Sequence, residues 1–397
     1  MAAPGLWQWL RANLFNTWYN TLISLLLLWL IGRGLVGVAA WAVGAEGWRA
    51  VAANMRLFFV GTYPAELLWR VEVAVWVIVL LLGLSGGLWK GTLQFVAASL
   101  AVLLVLLVPL ALLLPPTEAA PDNLDAFSIP PLLFLGGGAA LMLGGLALGR
   151  SIPYRFRWLL LAAWILSIPL IFMGLIRGMG ESGRWEAIPT NLWGGFLVTM
   201  TLTVVGILGS FPLGVLLALG RRSTLPVVRL FSTLYIEVIR GVPLVTVFFM
   251  SQLMLPLFLP ENVRVDSLLR AMVGVTLFSA AYLAENVRGG LQSIPRGQTE
   301  AAQALGLSTF HTTMLITLPQ ALRAVIPALV GQFISLFKDT SLVAVVGIFD
   351  LLGVAQFVIK QPAWLGTPGG VWRETFVFIA LIYFIISFTM SRVSLRI

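Results

Sequence analysis

Long apolar runs separated by short polar segments fill most of the chain between residues 18 and 391. About 20 apolar residues in a helix cross the hydrocarbon core of a bilayer, and a helix satisfies its own backbone hydrogen bonds there. The pattern therefore predicts an all-α membrane protein with about ten membrane-spanning helices: 18–44, 70–86, 92–114, 131–149, 158–176, 192–219, 238–259, 268–288, 324–347 and 374–391. Arg33 interrupts the first run, which predicts a tilted, kinked or shorter first span.

The apolar runs divide into two groups that differ in polar content. Residues 1–185 hold five predicted spans with almost no polar residues inside them, whereas residues 190–397 carry threonines and charged groups within the spans. The sequence predicts an N-terminal extension over 1–185 and a second unit over 190–397, joined near residues 178–189. In the second unit, the segment Gly241-Val242-Pro243 predicts a break in the chain, as a plain turn or as a hinge.

Composition strengthens the membrane prediction and excludes other classes. Hydrophobic residues make up 59% of the 397 residues and charged residues 10%, with a mean hydropathy of +0.97. Soluble domains carry about 25% charged residues, so a soluble enzyme, a nucleic-acid binder and a disordered scaffold are all excluded. The chain has no cysteine and one histidine, His311, which leaves no thiolate site and no histidine cluster for a metal.

The distribution of basic residues predicts an orientation. With the N-terminus inside, 14 of the 25 Lys and Arg residues fall in inner loops, nine fall in outer loops, and Arg33 and Lys338 lie within spans. Basic residues concentrate in cytoplasmic loops. Both termini are therefore predicted to be cytoplasmic.

A loop in the second unit has the pattern of a helix–glycine–helix hairpin (residues 293–320, hereafter the hairpin). Thr299 is a good N-cap, and Glu300 suits the positive end of a helix. Gly306 favours the left-handed conformation that ends a helix, and Ser308 then caps a second helix that Pro319 is predicted to end. These residues by themselves fit a docking element or an ordinary interfacial loop equally well.

The hairpin resembles the EAA signature of ABC-importer permeases, through Glu300-Ala301-Ala302, Gly306 and Ile316-x-Leu318-Pro319 at the family's spacing. Residues of about 190–397 are similar to the polar amino-acid branch of that family, in the stretches 193–195, 213–222, 235–244, 284–291 and 338–342. Residues 1–185 resemble the extension of subunits from heterodimeric general or polar amino-acid importers. Asn286 departs from the apolar residue that the family has at this place.

The resemblance implies a permease with a type I ABC-importer core over residues 190–397. It implies that the hairpin docks on a separate ATPase through Glu300, Ala301, Ala302, Gly306, Leu307 and Pro319. None of the three lysines follows a glycine, so the chain has no Walker A loop. The implied partners are an ATPase that binds the ATP and magnesium, a second permease, a substrate-binding protein and an amino-acid cargo. This chain itself would need no cofactor and would lie in the bacterial inner membrane.

Charged residues inside spans are the candidates for a translocation path. A charge at the centre of a spanning helix costs about 2.5–3.5 kcal/mol on insertion scales, so it faces a partner or a water-filled path. The candidates are Glu285, Asn286, Lys338, Asp339, Thr340 and Ser341. The alternatives are a structural ion pair for Lys338 and Asp339, and for Glu285 a pair with Arg288 or contact with water.

Two questions stay open at this stage. An ion- or proton-coupled secondary carrier is the competing interpretation, although such a carrier has no use for an EAA hairpin. The second permease subunit is either an identical copy or a paralogue, and the long N-terminal extension favours a paralogue.

Overall fold

The computed structural model describes residues 5–113, 128–260 and 263–394. Its described residues form no β-strand, only two isolated bridges. The α-helices are α1 (Leu6–Asn13), α2 (Trp18–Gly44), α3 (Trp48–Ala53), α4 (Met55–Val60), α5 (Trp69–Trp89), α6 (Gly91–Leu113), α7 (Pro131–Ser151), α8 (Arg157–Pro169), α9 (Gly195–Arg221), α10 (Pro226–Gly241), α11 (Leu244–Leu253), α12 (Ser267–Ser293), α13 (Arg296–Ala304), α14 (Thr309–His311), α15 (Leu318–Asp339), α16 (Leu351–Val358) and α17 (Trp372–Ser394).

The number of spans agrees with the sequence prediction. Among the described residues, nine helices are long and apolar enough to cross a membrane, or ten if one bent pair is counted as a single span. The loop after α6, which has Glu118, Asp122 and Asp125 and no basic residue, falls largely in residues 114–127, outside the described residues. The all-α membrane architecture is therefore confirmed.

The predicted span 238–259 is wrong as a single straight helix. The chain forms α10 and α11 instead, which meet at an angle of 107°. The bend falls at the predicted break, where Pro243 lacks a backbone N–H and precedes the first residue of α11. The pattern of apolar residues continues across this break, so hydropathy by itself hides it.

Helix α2 is one uninterrupted helix, contrary to the expectation of a kink or an early end at Arg33. Its residues include none that are buried. The Arg33 guanidinium lies 5.7 Å from the centre of the Trp29 ring, one turn earlier on the same face. The long side chain of Arg33 bends along the helix surface, so its charge does not interrupt the helical backbone.

Glycine allows two spans of the N-terminal extension to pack in close contact. Gly87 on α5 faces Gly149 on α7, and a Cβ atom on Gly87 would lie 2.5 Å from the carbonyl oxygen of Leu146. Small residues of this kind are typical of helix pairs in membranes, where van der Waals contact replaces the hydrophobic effect.

The two parts of the chain share one apolar core. Tyr63 and Ile176 from the first part pack in the same cluster as Leu202 and Phe248 from the second. The side chain of Arg70, which is fully buried, donates to the carbonyl oxygen of Glu186 at 2.9 Å and so fixes the connecting segment against α5. The boundary between 1–185 and 190–397 stays a prediction, but the extension is packed against the second part.

Candidate functional site

The hairpin forms two helical arms around Gly306. Gly306 has φ = +80°, as the sequence predicted, and Ser308 caps the second arm by accepting from the backbone N–H of His311. The predicted N-cap at Thr299 is wrong, because α13 begins at Arg296 after Pro295. Proline fixes φ near −65° and so favours an earlier start.

Pro319 does not end the second arm. A π-helical segment, Thr312–Thr317, follows α14 and continues directly into α15, where Pro319 occupies the first turn. Pro319 has no N–H to donate to the preceding turn, and the helix continues past it all the same. The second arm and the following span thus form one continuous helical path from the hairpin into the membrane region.

The residues of the EAA signature differ in exposure. Glu300, Ala301 and Gly306 are exposed, whereas Ala302 is 4% exposed and packs inside the hairpin. Three large apolar side chains of the hairpin are more than 60% exposed: Leu305 (83%), Phe310 (65%) and Leu315 (62%). Leu307 is half-buried and Pro319 is exposed.

Glu285 lies at the centre of an ionic cluster near the hairpin end of α12. Its carboxylate accepts from Arg288, one turn away, at 3.0 Å and from Arg221 of α9 at 3.3 Å. The Arg240 guanidinium is 3.7 Å away and lies over the Tyr282 ring. The pair with Arg288 that the sequence offered as an alternative is therefore present. Asn286 beside it is half-buried.

The run Lys338–Ser341 lies at a different depth from Glu285. Leu336 lies beside Gly206, near the middle of α9, as does Val275 from the first half of α12. Val275 precedes Glu285 by ten residues, or about 15 Å along a helix at 1.5 Å per residue. Lys338 is exposed, Asp339 is half-buried, and Thr340 is buried and donates to the carbonyl oxygen of Phe337 at 2.7 Å. Ser341 lines a cleft with Lys338.

Comparison with known proteins identifies the family. A model of the binding-protein-dependent transport system inner membrane component matches residues 210–396. The inner membrane amino-acid ABC transporter permease protein YhdY of Escherichia coli strain K12 is 38% identical over 97% of this chain and 90% of its own length. The chain belongs to this family of ABC-importer permeases.

Two further proteins show the extent of the likeness. The glutamate/glutamine/aspartate/asparagine transport system permease protein BztC of Rhodobacter capsulatus is 36% identical over 98% of this permease and 92% of its own length. A crystal structure of an amino acid ABC transporter with histidines covers 50% of the permease and 89% of its own chain, at 29% identity and a TM-score of 0.44. Membership of the family makes the permease a multi-pass inner-membrane transport subunit for amino acids, and it decides against a secondary carrier.

The sequence analysis missed a buried polar group in the permease. Asp350 is fully buried and caps α16 by accepting from the backbone N–H groups of Gly353 at 2.9 Å and Leu352 at 3.2 Å. The hydroxyl of Tyr383 donates to the same carboxylate at 3.3 Å. An aspartate before the apolar run 351–355 is an N-cap signal, but α16 is too short to appear in a search for spans.

Proposed function

We propose that the hairpin transmits motion from a separate ATPase to the spans of the permease. The observation that carries this proposal is the set of exposed apolar side chains on the hairpin, with Leu305 directly after α13 and Phe310 and Leu315 on the second arm. Exposed apolar groups outside the lipid mark a surface for a protein partner. The continuous helical path from the second arm into α15 supports a mechanical connection.

The residues of the EAA signature have different roles in this proposal. Glu300, Ala301, Gly306, Leu307 and Pro319 contribute to the surface or to the turn that shapes it. Ala302 is buried in the hairpin, so it supports the turn from within, and its backbone carbonyl accepts from the N–H of Leu307 at 3.1 Å. A large side chain at position 302 therefore damages the hairpin itself, whereas one at the exposed Ala301 obstructs only docking.

The ATPase partner would bind ATP and magnesium, and this permease would hold no cofactor. A second permease subunit, a paralogue, would complete the translocation path, and a substrate-binding protein would deliver the amino acid. The names of the relatives that cover nearly the whole chain support an amino-acid cargo. The path would include Glu285, Asn286 and the Lys338–Ser341 run. Both termini and the hairpin would lie in the cytoplasm.

Leu305→Asn tests the docking surface. The variant should insert at normal levels, because the hairpin lies outside the lipid, but the ATPase should be lost on purification of the complex. Leu225→Asn is the matched control, since Leu225 is 61% exposed in the loop between α9 and α10 at the same end of the molecule. Co-purification of the ATPase with both variants at the wild-type ratio would refute the assignment.

A further inference from the structure

We infer that the N-terminal extension binds an anionic phospholipid, whose phosphate pairs with Arg155 and Arg157 and whose acyl chain lies in a groove beside α7 and α8. The inference goes beyond the proposed transport function, because the hairpin and the proposed path contribute no residue to this site. Its failure would therefore leave the coupling proposal untouched.

The groove lies where α5 and α7 end and α8 begins. Its volume is about 530 Å³, and its walls include Leu84 of α5, Leu148 of α7, Phe156 and Leu159 of α8. The polar side chain in the lining is Ser151, and its hydroxyl donates to a backbone carbonyl one turn earlier at 3.4 Å. A polar solute finds no free partner in these walls, whereas a hydrocarbon chain needs none.

The level of the groove matches the boundary between the apolar core of the membrane and the headgroups. Helix α7 has 21 residues, or about 32 Å at 1.5 Å per residue, and a bilayer core is about 30 Å thick. The groove is at the end of this helix, and the exposed aromatic residues Tyr154 and Trp158 flank it in sequence. Aromatic residues of this kind are typical of membrane interfaces. A ligand with a charged head and an apolar chain fits this level.

Two arginines are held beside the groove by aromatic rings. The Arg155 guanidinium lies 4.9 Å from the centre of the Phe156 ring, which lines the groove, and the Arg157 guanidinium lies 4.7 Å from the centre of the Tyr154 ring. Both arginines are exposed. A guanidinium that stacks on a ring through its face can still donate through the N–H groups at its edge.

These positive charges have no counterion in this part of the protein. The sequence has no acidic residue from 73 to 117 or from 126 to 180. Among the described residues, no carboxylate lies within 4 Å of Arg155, Arg157 or Arg150, a third exposed arginine in the last turn of α7. The site therefore carries an uncompensated positive charge at the membrane surface.

Charge and shape together select the ligand. A guanidinium binds phosphate through two parallel hydrogen bonds, and basic groups between helices at a membrane surface attract anionic headgroups. The choline of phosphatidylcholine neutralises its own phosphate, so that lipid binds less tightly. A free phosphate or an acidic protein surface has no acyl chain for the groove. An anionic phospholipid such as phosphatidylglycerol satisfies both the arginines and the groove.

Native mass spectrometry of the intact permease measures this binding directly. Delipidated permease in detergent is titrated with phosphatidylglycerol and, separately, with phosphatidylcholine that has the same acyl chains. The tightest site of the wild type should prefer phosphatidylglycerol by at least tenfold, because each of two basic residues contributes about fivefold, or about 1 kcal/mol, near an anionic lipid. Equal affinity for the two lipids overturns the inference without any variant.

Substitution of the arginines tests the headgroup contact. Arg155→Gln combined with Arg157→Gln should weaken phosphatidylglycerol binding by tenfold or more and leave phosphatidylcholine binding unchanged. Arg373→Gln is the matched control, since the exposed Arg373 guanidinium also lies over an aromatic ring, 6.0 Å from the centre of Trp372, but does not adjoin the groove. Wild-type affinity in the double variant, or an equal loss in the control, overturns the inference.

A larger side chain in the groove tests the acyl-chain contact. Leu148→Trp should fill the groove and weaken binding by tenfold or more, because each CH₂ group that leaves an apolar site costs about fourfold, or about 0.8 kcal/mol. Leu143→Trp is the control, since Leu143 is an exposed residue of the same helix outside the groove. If Leu148→Trp binds phosphatidylglycerol like the wild type while the arginine variant does not, the arginines hold a soluble anion or an acidic protein surface, and the lipid inference is wrong.

Discussion

At the scale of single residues, two exposed glycines of the hairpin differ in one property. Gly306 has φ = +80° and Gly297 does not have a positive φ, while both have open space where a Cβ atom would lie. A β-branched residue at a positive φ is strained by about 1–3 kcal/mol. Gly306→Val should therefore uncouple ATP hydrolysis from the loaded binding protein, and Gly297→Val should not. If loaded binding protein stimulates ATP hydrolysis equally in the two variants, the positive φ of Gly306 is not required for coupling.

Glu285 allows a second prediction at this scale, concerning stability. Glu285→Gln leaves Arg221, Arg240 and Arg288 close together without their shared carboxylate. Loss of a partner from a partly buried charged cluster costs about 1–3 kcal/mol, so the Tm of the purified permease should fall. Among the described residues, Glu237 forms a salt bridge within 4 Å with Arg221 alone, and its side chain is 55% exposed, so Glu237→Gln should change the Tm much less. The two melting curves, recorded in the same detergent, decide the point.

At the scale of elements, α16 depends on one buried carboxylate. Burial raises the pKa of Asp350 to about 6, against the opposing effect of the N–H groups of Gly353 and Leu352. The folded state therefore holds a proton that the unfolded state releases near its ordinary pKa of about 3.9. The contribution of Asp350 to the free energy of unfolding is therefore largest below about pH 3.9. It falls as the pH rises to about 6 and is constant at higher pH.

This pH dependence can be isolated with two substitutions. Asp350→Asn keeps an N-cap acceptor and removes the titration, so the Tm difference between Asn and wild type should grow from about pH 4 to pH 6, in favour of Asn. Asp350→Ala removes the cap and should be less stable than Asn at every pH, by about 0.5–2 kcal/mol. A Tm difference between wild type and Asn that does not vary with pH would contradict this account of Asp350.

At the scale of the whole molecule, the proposed orientation predicts a pattern of labelling. Single cysteines in place of Thr224 and Ser308 should be protected from an impermeant thiol reagent in whole cells, and Glu181→Cys should react. Permeabilising the inner membrane should expose the first two. Labelling of Thr224→Cys and Ser308→Cys in intact cells, with protection of Glu181→Cys, would reverse the orientation.

The sequence by itself determined the class of the protein and the turn of the hairpin. Apolar runs long enough to cross a bilayer have few other stable states, so they fix an all-α membrane fold without knowledge of contacts. The conformations of Gly306 and Ser308 are likewise local, since each depends on backbone preferences within a few residues. The resemblance of the hairpin to the EAA signature added the family.

Only the tertiary structure decided which helices share a depth and which polar groups have partners. Glu285 and Lys338 look alike in the sequence as charges within spans, but one is surrounded by arginines from three helices and the other faces a cleft. The burial of Asp350 and its hydrogen bond with Tyr383 also depend on neighbours distant in the chain. Hydropathy records how apolar a residue is but not what it contacts, so partners and depth appear only after the helices pack.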